Sequence, residues 1–236
     1  MKVGILAVQG DYEAHGEMLA RLGIGYCFVK TSEDLQGCDA LILPGGESTT
    51  QLQFLQEEGL IAGIRALAER GGSLFGTCAG AILLANEVRN PTQPSLELLD
   101  IAITRNGYGR QLSSEVRLGT SKLAGRASSE MTTPETAVAG APAPMEMVFI
   151  RAPIIERVGP GVEILAESEG KPVLVRQGKV LAATFHPELT TDTTVHGAFL
   201  KIASEHQQRA QSANTTPDSP SKSVSKQITT PHEVLL

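Results

Sequence analysis

Three short segments of this sequence carry the residue types that acyl transfer needs. In Gly76-Thr77-Cys78-Ala79-Gly80 a cysteine has a glycine two positions away on each side. That is the requirement of a nucleophile elbow, a strained strand-to-helix turn that closes only where its flanks are small. A helix starting behind Cys78 lowers the thiol pKa and leaves the amide of Ala79 free to donate to an oxyanion. The same five residues also suit a structural cysteine in a glycine-rich turn, so a base must decide between the two. His186-Pro187-Glu188 supplies one. In an extended segment residues two apart share a side, so Glu188 is expected to accept a hydrogen bond from the His186 ring and aim it at Cys78. Alone, His-x-Glu is more often a solvated surface turn. The third segment is Pro44-Gly45-Gly46-Glu47-Ser48, whose glycines let backbone approach a ligand, with the Gly46 amide expected as the second oxyanion donor. It too has an ordinary reading, a turn before a helix. Three such loops with one role apiece are harder to explain separately than together.

The surrounding pattern says what must position them. Val3 to Val8 is a nearly unbroken apolar run closed by Gln9-Gly10-Asp11, and a helix carrying Ala14, Met18, Leu19 and Leu22 follows, ended by Gly23. Further strands are expected at Tyr26 to Val29, at Ala40 to Leu43 just before Pro44, and at Ser73 to Gly76 just before Cys78. Ser48 is a reasonable N-cap for a helix through Leu52 and Leu55 that breaks near Gly59 and resumes to Gly71-Gly72. Ala81 to Ala85 reads as a helix buried on most sides. Strands alternating with helices imply an α/β fold, a mostly parallel sheet flanked by helices on both faces, with ligands at the carboxyl ends of the strands. All three segments fall at such ends. The second half is richer in strand, with candidates at Val148 to Ile150, Val162 to Ala166, Val173 to Val175 and Val180 to Phe185, a hairpin at Gln177-Gly178, and a last helix over about Thr194 to Gln207.

Two segments differ in composition. Gly119 to Pro144 is rich in Ala, Ser, Thr and Pro without a periodic apolar face, and reads as a mobile surface insertion. Ser212 to Thr230 is dominated by Ser and Thr, so the folded unit is expected over residues 1–206 and a disordered tail over 207–236. A net charge of −6 with no basic run argues against nucleic-acid and anionic membrane surfaces. No apolar stretch approaches the roughly 18–20 residues that span a bilayer, and no signal-peptide layout opens the chain, which points to the cytoplasm. Three cysteines without a CxxC pair fit neither a disulfide framework nor a zinc site. Cys27 and Cys38 are expected to be packed. His15 and His196, on helices, read as surface or capping residues, with His15 within reach of a partner.

Leu43-Pro44-Gly45-Gly46-Glu47-Ser48-Thr49-Thr50, Gly76-Thr77-Cys78-Ala79-Gly80 and Phe185-His186-Pro187-Glu188-Leu189 together resemble the class I glutamine amidotransferases with a Cys-His-Glu triad. Ala7-Val8-Gln9-Gly10-Asp11, the Gly-Glu-Ser-Thr loop and Phe149-Ile150-Arg151-Ala152-Pro153 narrow the likeness to the glutaminase subunits of pyridoxal 5′-phosphate synthases, over most of residues 1–206. The resemblance implies a flavodoxin-like sheet and hydrolysis of L-glutamine by Cys78, His186 and Glu188. It also implies glutamine binding by Gly46, Glu47 and Ser48, by Arg105 of the Arg105-Asn106 pair, and by Ile150 and Arg151. An arginine fork suits the amino acid's carboxylate, and its ammonium needs acceptors; without the resemblance, Arg105 and Arg151 read as surface ion pairs. The chemistry calls for no metal and no organic cofactor. The implied partner is the synthase subunit, in a hetero-oligomer whose docking orders the oxyanion loop, with Gln9 and the first helix near the interface. The insertion and the tail depart from the family pattern without interrupting a motif. Rival readings are an amidotransferase serving another synthase, a cysteine-elbow hydrolase of the same architecture, and a non-catalytic regulatory scaffold.

Overall fold

The strands form where apolar runs are too short for a helix and are bounded by glycine, proline or a charged turn. A computed structural model describes residues 1–107, 115–123 and 142–213, with side chains through residue 205. Its main sheet has nine strands in the order β2-β1-β3-β4-β12-β11-β10-β7-β8. The first five are mutually parallel: β2 (Tyr26–Val29), β1 (Val3–Leu6), β3 (Ala40–Leu43), β4 (Ser73–Thr77) and β12 (Val180–Ala183). The order 2-1-3-4 about β1 is the flavodoxin-like winding, and it puts a topological switch point between β1 and β3. From β12 the sheet continues antiparallel through β11 (Lys171–Gln177), β10 (Glu163–Ser168), β7 (Glu115–Ser121) and β8 (Ala143–Phe149).

Period-two alternation divides the core between the two faces. Val3, Ile5, Ala40, Ile42, Phe75 and Leu181 pack with Leu19 of α1 (Tyr12–Arg21) and Phe199 of α5 (Thr194–Ala213). Leu6, Leu41, Leu43 and Leu74 face the other way, against α2 (Ser48–Glu57), α3 (Leu60–Glu69) and α4 (Ala79–Leu84). Gly59, at φ 65°, separates α2 from α3. Phe75 and Phe199 are fully buried with centroids 5.4 Å apart, and burying a side chain of that size stabilises the fold by roughly 1.5–3 kcal/mol.

Several expectations from sequence are corrected. A small second sheet of β5 (Ala85–Arg89), β6 (Leu99–Thr104) and β9 (Ile154–Val158) lies beside α4 and was not anticipated. The expected insertion at Gly119 to Pro144 starts too early and ends too late, because β7 runs to Ser121 and β8 begins at Ala143, paired with each other; residues 124–141 lie outside the described residues. The last helix continues to Ala213, six residues past the boundary placed at Gln207, and residues 214–236 lie outside the description. Among the described residues no helix is long and apolar enough to cross a membrane.

Candidate active site

The elbow is built as its glycines require. Cys78 takes φ 46°, ψ −100° between β4 and α4, a backbone state that costs a non-glycine residue about 1–3 kcal/mol. What holds it there is the close approach of its flanks. A Cβ on Gly80 would be driven into the carbonyl oxygen of Leu43, and one on Gly76 would meet the backbone of Gly80. The Cys78 amide donates to the carbonyl of Ala183 at 2.8 Å, continuing the β4–β12 ladder, in which Thr77 pairs with Ala183. The thiol is largely buried, and Sγ lies 3.9 Å from the Ile150 carbonyl oxygen.

His186 stands three residues beyond the end of β12, the strand next to β4. Glu188 reaches it by a route other than the extended segment expected from sequence. Pro187–Leu189 is a 3-10 turn with His186 at its N-cap, and the turn folds Glu188 Oε1 back to His186 Nδ1 at 2.8 Å. Both side chains are buried. The His186 amide is pinned to the Val148 carbonyl at 2.8 Å. Burial works against a charged His186 ring, but Cys78 and Glu188 together outweigh it and push the pKa up to about 10. Among the described residues His186 Nε2 has no hydrogen-bond partner, and the Cys78 thiol is the leading influence favouring the charged ring. At Glu188 burial favours the neutral acid, and the rings of His15 and His186 reverse this and hold the carboxyl below its ordinary value. These influences favour an imidazolium at His186 against a carboxylate at Glu188, beside the Cys78 thiol.

These groups open onto a pocket of about 370 Å³ lined by Gly46, Glu47, Ser48, Arg105, Ile150 and Arg151 as well as Cys78 and His186. Of the residues expected from sequence, only Glu188 and Ala79 are absent from that lining: Glu188 lies behind His186, and Ala79 is almost fully buried in the first turn of α4. Arg105 donates to Glu47 Oε1 at 2.8 Å, forming a cation–anion pair on the pocket wall. Desolvation raises the Glu47 carboxyl pKa, but hydrogen bonds from Thr49 and the charges of Arg105 and Arg151 bring it below its ordinary value. Arg151 adopts φ 45°. Ser48 is not the N-cap of α2: Glu47 is, accepting from the Thr49 amide, while the Ser48 hydroxyl donates to Gln93 at 3.0 Å.

Further residues were not expected in the pocket from sequence, Gln9 having been placed near a partner interface. Gln9, Asp11, Ile82 and Asn106 also line the pocket. Gln9 Oε1 accepts from the Glu47 amide at 2.8 Å, and Gln51 Nε2 donates to the carbonyls of Gln9 and Pro44 at 3.0 and 3.2 Å. The turn after β1 is thereby fastened to the turn after β3 across the switch point. His15 and His196 are not surface residues at all: both are fully buried behind Glu188. Each had a signal. His15 shares helical spacing with Met18, Leu19 and Leu22, and His196 with Phe199, Leu200 and Ala203. Asp11, His186 and Glu188 offer ligand atoms within 4.8 Å of one another, but Glu188 Oε1 is already engaged by His186.

A family model described as the SNO glutamine amidotransferase family matches residues 5–205. The chain belongs to the SNO glutamine amidotransferase family. Among SNO relatives, a pyridoxal 5′-phosphate synthase subunit PdxT from Koribacter versatilis is 50% identical over 202 residues, covering 86% of this chain and 95% of its own. A Thermus thermophilus protein of the same name is 48% identical over 204 residues, covering 85% and 97%. A crystal structure described as a glutamine amidotransferase superposes with a TM-score of 0.74 at 45% identity, covering 86% of this chain and 98% of that one. PurLQS from Thermotoga maritima, at 17% identity and a TM-score of 0.61, shares the fold. The SNO match thus spans every pocket residue named above and all of the main sheet but the first two residues of β1.

Proposed function

We propose that this chain hydrolyses the side-chain amide of L-glutamine and supplies the ammonia to a pyridoxal 5′-phosphate synthase subunit. The observation that carries the reading is the buried His186–Glu188 pair beside Cys78, opening on a pocket whose wall bears Arg105, Glu47 and Arg151. The Cys78 thiolate attacks the amide carbon, and the charge that develops on oxygen is met by backbone amides at Gly46 and Ala79. The His186 imidazolium gives its proton to the departing nitrogen, which leaves as ammonia, and a γ-glutamyl thioester remains on Cys78. The neutral ring then takes a proton from water, hydroxide adds to the thioester carbon, and collapse expels the thiolate and releases glutamate. Glu188 keeps Nδ1 as donor and stabilises the charged ring throughout. Arg105 and Arg151 suit the substrate carboxylate, and Glu47 suits its ammonium.

The partner is supported by the SNO relatives bearing the synthase-subunit name and by the chemistry, since ammonia released into solvent is lost to synthesis. In that hetero-oligomer the synthase subunit combines ribose 5-phosphate, glyceraldehyde 3-phosphate and ammonia. The complex, given glutamine labelled with ¹⁵N at the amide and an excess of unlabelled ammonium, is expected to place the label in pyridoxal 5′-phosphate. Glutamate release with no labelled product would leave a glutaminase serving a different acceptor.

Two further outcomes test the residue roles. Arg105→Ala should raise KM for glutamine about 10- to 100-fold with kcat little changed, the signature of lost charge-assisted ground-state binding; an unchanged KM would remove Arg105 from the substrate's grip. The pH profile tests His186. Because its pKa is raised from 6.5 to about 10, the competent imidazolium is present through neutral pH and lost as pH rises through that value. Glutaminase kcat/KM should therefore hold through pH 8–9 and decline only on approaching about 10. An alkaline limb near 6.5, the ordinary histidine value, would contradict that assignment.

A further inference from the structure

Behind Glu188 lies a chain of buried polar groups that the hydrolytic steps do not use. His15 Nε2 is 3.1 Å from Thr77 Oγ1 and 3.6 Å from Glu188 Oε1, and Thr77 Oγ1 is 3.4 Å from the same carboxylate oxygen. On its other side His15 Nδ1 meets His196 Nε2 at 2.9 Å. Both rings are fully buried, and Phe75 packs edge-on against each, with centroids 6.0 and 5.6 Å away. Histidines so enclosed are costly to keep unless their hydrogen bonds serve something.

The direction of the protons can be deduced. An ionised Glu188 Oε1 only accepts, so the Thr77 hydroxyl donates to it and is left to accept from His15. His15 then carries its proton on Nε2, and Nδ1 must accept from His196 Nε2–H. His196 Nδ1 is left bare, and among the described residues that atom is indeed without a partner. The opposite tautomer of His15 would turn a lone pair toward the carboxylate at 3.6 Å and take the Thr77 proton away from it. Burial lowers the pKa of both rings, His196 to about 3, which keeps the pair neutral, as this pattern requires.

We propose that His15 is a positioning residue of the triad: its Nε2–H tautomer, fixed by His196 and passed on through Thr77, holds Glu188 as a one-way acceptor for His186. The proposal rests on reading Cys78, His186 and Glu188 as a triad. The charged and titratable groups facing this network are Cys78, His186 and Glu188, Asp11 at 3.8 Å from His186 Nδ1, and the two histidines themselves. With a less firmly held carboxylate, His186 loses support for its charge and the thiolate loses its counterion.

The test uses full-length chain assembled with the synthase subunit and two readouts. One is kcat and KM for glutamine; the other is the pH dependence of Cys78 alkylation by iodoacetamide, followed by mass spectrometry of the Cys78 peptide. The second does not depend on glutamine being the substrate, so failure of the glutaminase reading and failure of the relay are separable. His15→Leu should lower kcat about 10-fold with KM within about twofold, short of the roughly 10²–10⁴ contributed by the acid–base group itself. Its alkylation profile should move to higher pH. His15→Gln, which returns an N–H near the position of Nε2, should recover most of both, and Thr77→Val, which removes only the hydroxyl link, should reproduce the His15→Leu shift if the leucine variant does not fold. A folded His15→Leu or Thr77→Val protein with unchanged kcat and alkylation profile overturns the proposal, as does a His15→Gln protein no better than His15→Leu.

Discussion

Cys78→Ala should abolish glutamine turnover while leaving glutamine binding within a few-fold of the parent. Removing a nucleophile that acts as one unit with its base costs roughly 10⁶-fold in kcat, because His186 and Glu188 have nothing left to activate. The pocket groups proposed to hold the α-carboxylate and α-ammonium, Arg105, Arg151 and Glu47, lie outside the elbow, so their grip should survive the change. The backbone is also spared, since alanine faces the same φ of 46° that cysteine tolerates. Steady-state assay of glutamate release together with calorimetric titration with glutamine checks both halves. Measurable turnover by the variant would place the chemistry on another group, and loss of binding would show the thiol to be part of the substrate's grip.

Gly80→Ala should damage the protein more broadly. The added methyl has no exit, because Gly80 sits in the first turn of α4 directly against the Leu43 carbonyl, and backbone on both sides is held by sheet and helix. Overpacking of this kind costs about 3 kcal/mol. In a chain of this size that is roughly 6–12 °C of Tm. Activity should fall with stability, since any movement that relieves the clash parts β3 from the elbow. Differential scanning calorimetry of the variant decides it. An unchanged Tm would mean that the elbow is looser than its contacts imply.

The two substitutions bear on what could be read before the fold was known. The elbow, the His-Pro-Glu segment and the Pro-Gly-Gly loop were legible because each is local: a particular backbone state demands particular residues within five positions. The parallel half of the sheet was legible for a related reason, since strands buried on both faces appear as short apolar runs such as Ala40 to Leu43. β7 was not, because it is a half-solvated strand in which exposed Val116 and Leu118 alternate with charged Glu115 and Arg117, a pattern that resembles a loop. β5 fails similarly, with Asn86 and Glu87 exposed in mid-strand. His15 and His196 were misplaced for another reason. Residue type suggested a surface position, while their helical phase already put them on the buried stripe, and only tertiary pairing makes a buried imidazole tolerable. For Glu188 the position was right and the local geometry wrong, a 3-10 turn doing what an extended segment was expected to do.

The strand neighbours of the site set an order of failure. Cys78 and His186 hang from β4 and β12, adjacent strands in the interior of a nine-stranded sheet, and the last rung between them is the bond from the Cys78 amide to Ala183. The loop of Gly45 to Glu47 lies outside the ladder and is tied down by the Gln9 side chain at the Glu47 amide, by the Asp11 amide at the Gly45 carbonyl and by Arg105 at the Glu47 carboxylate. Under rising denaturant the amides of that loop should exchange with solvent at a lower opening free energy than the amide of Cys78. Cys78 and His186 would then stay in register until the whole sheet melts, long after the glycine loop across the pocket has let go.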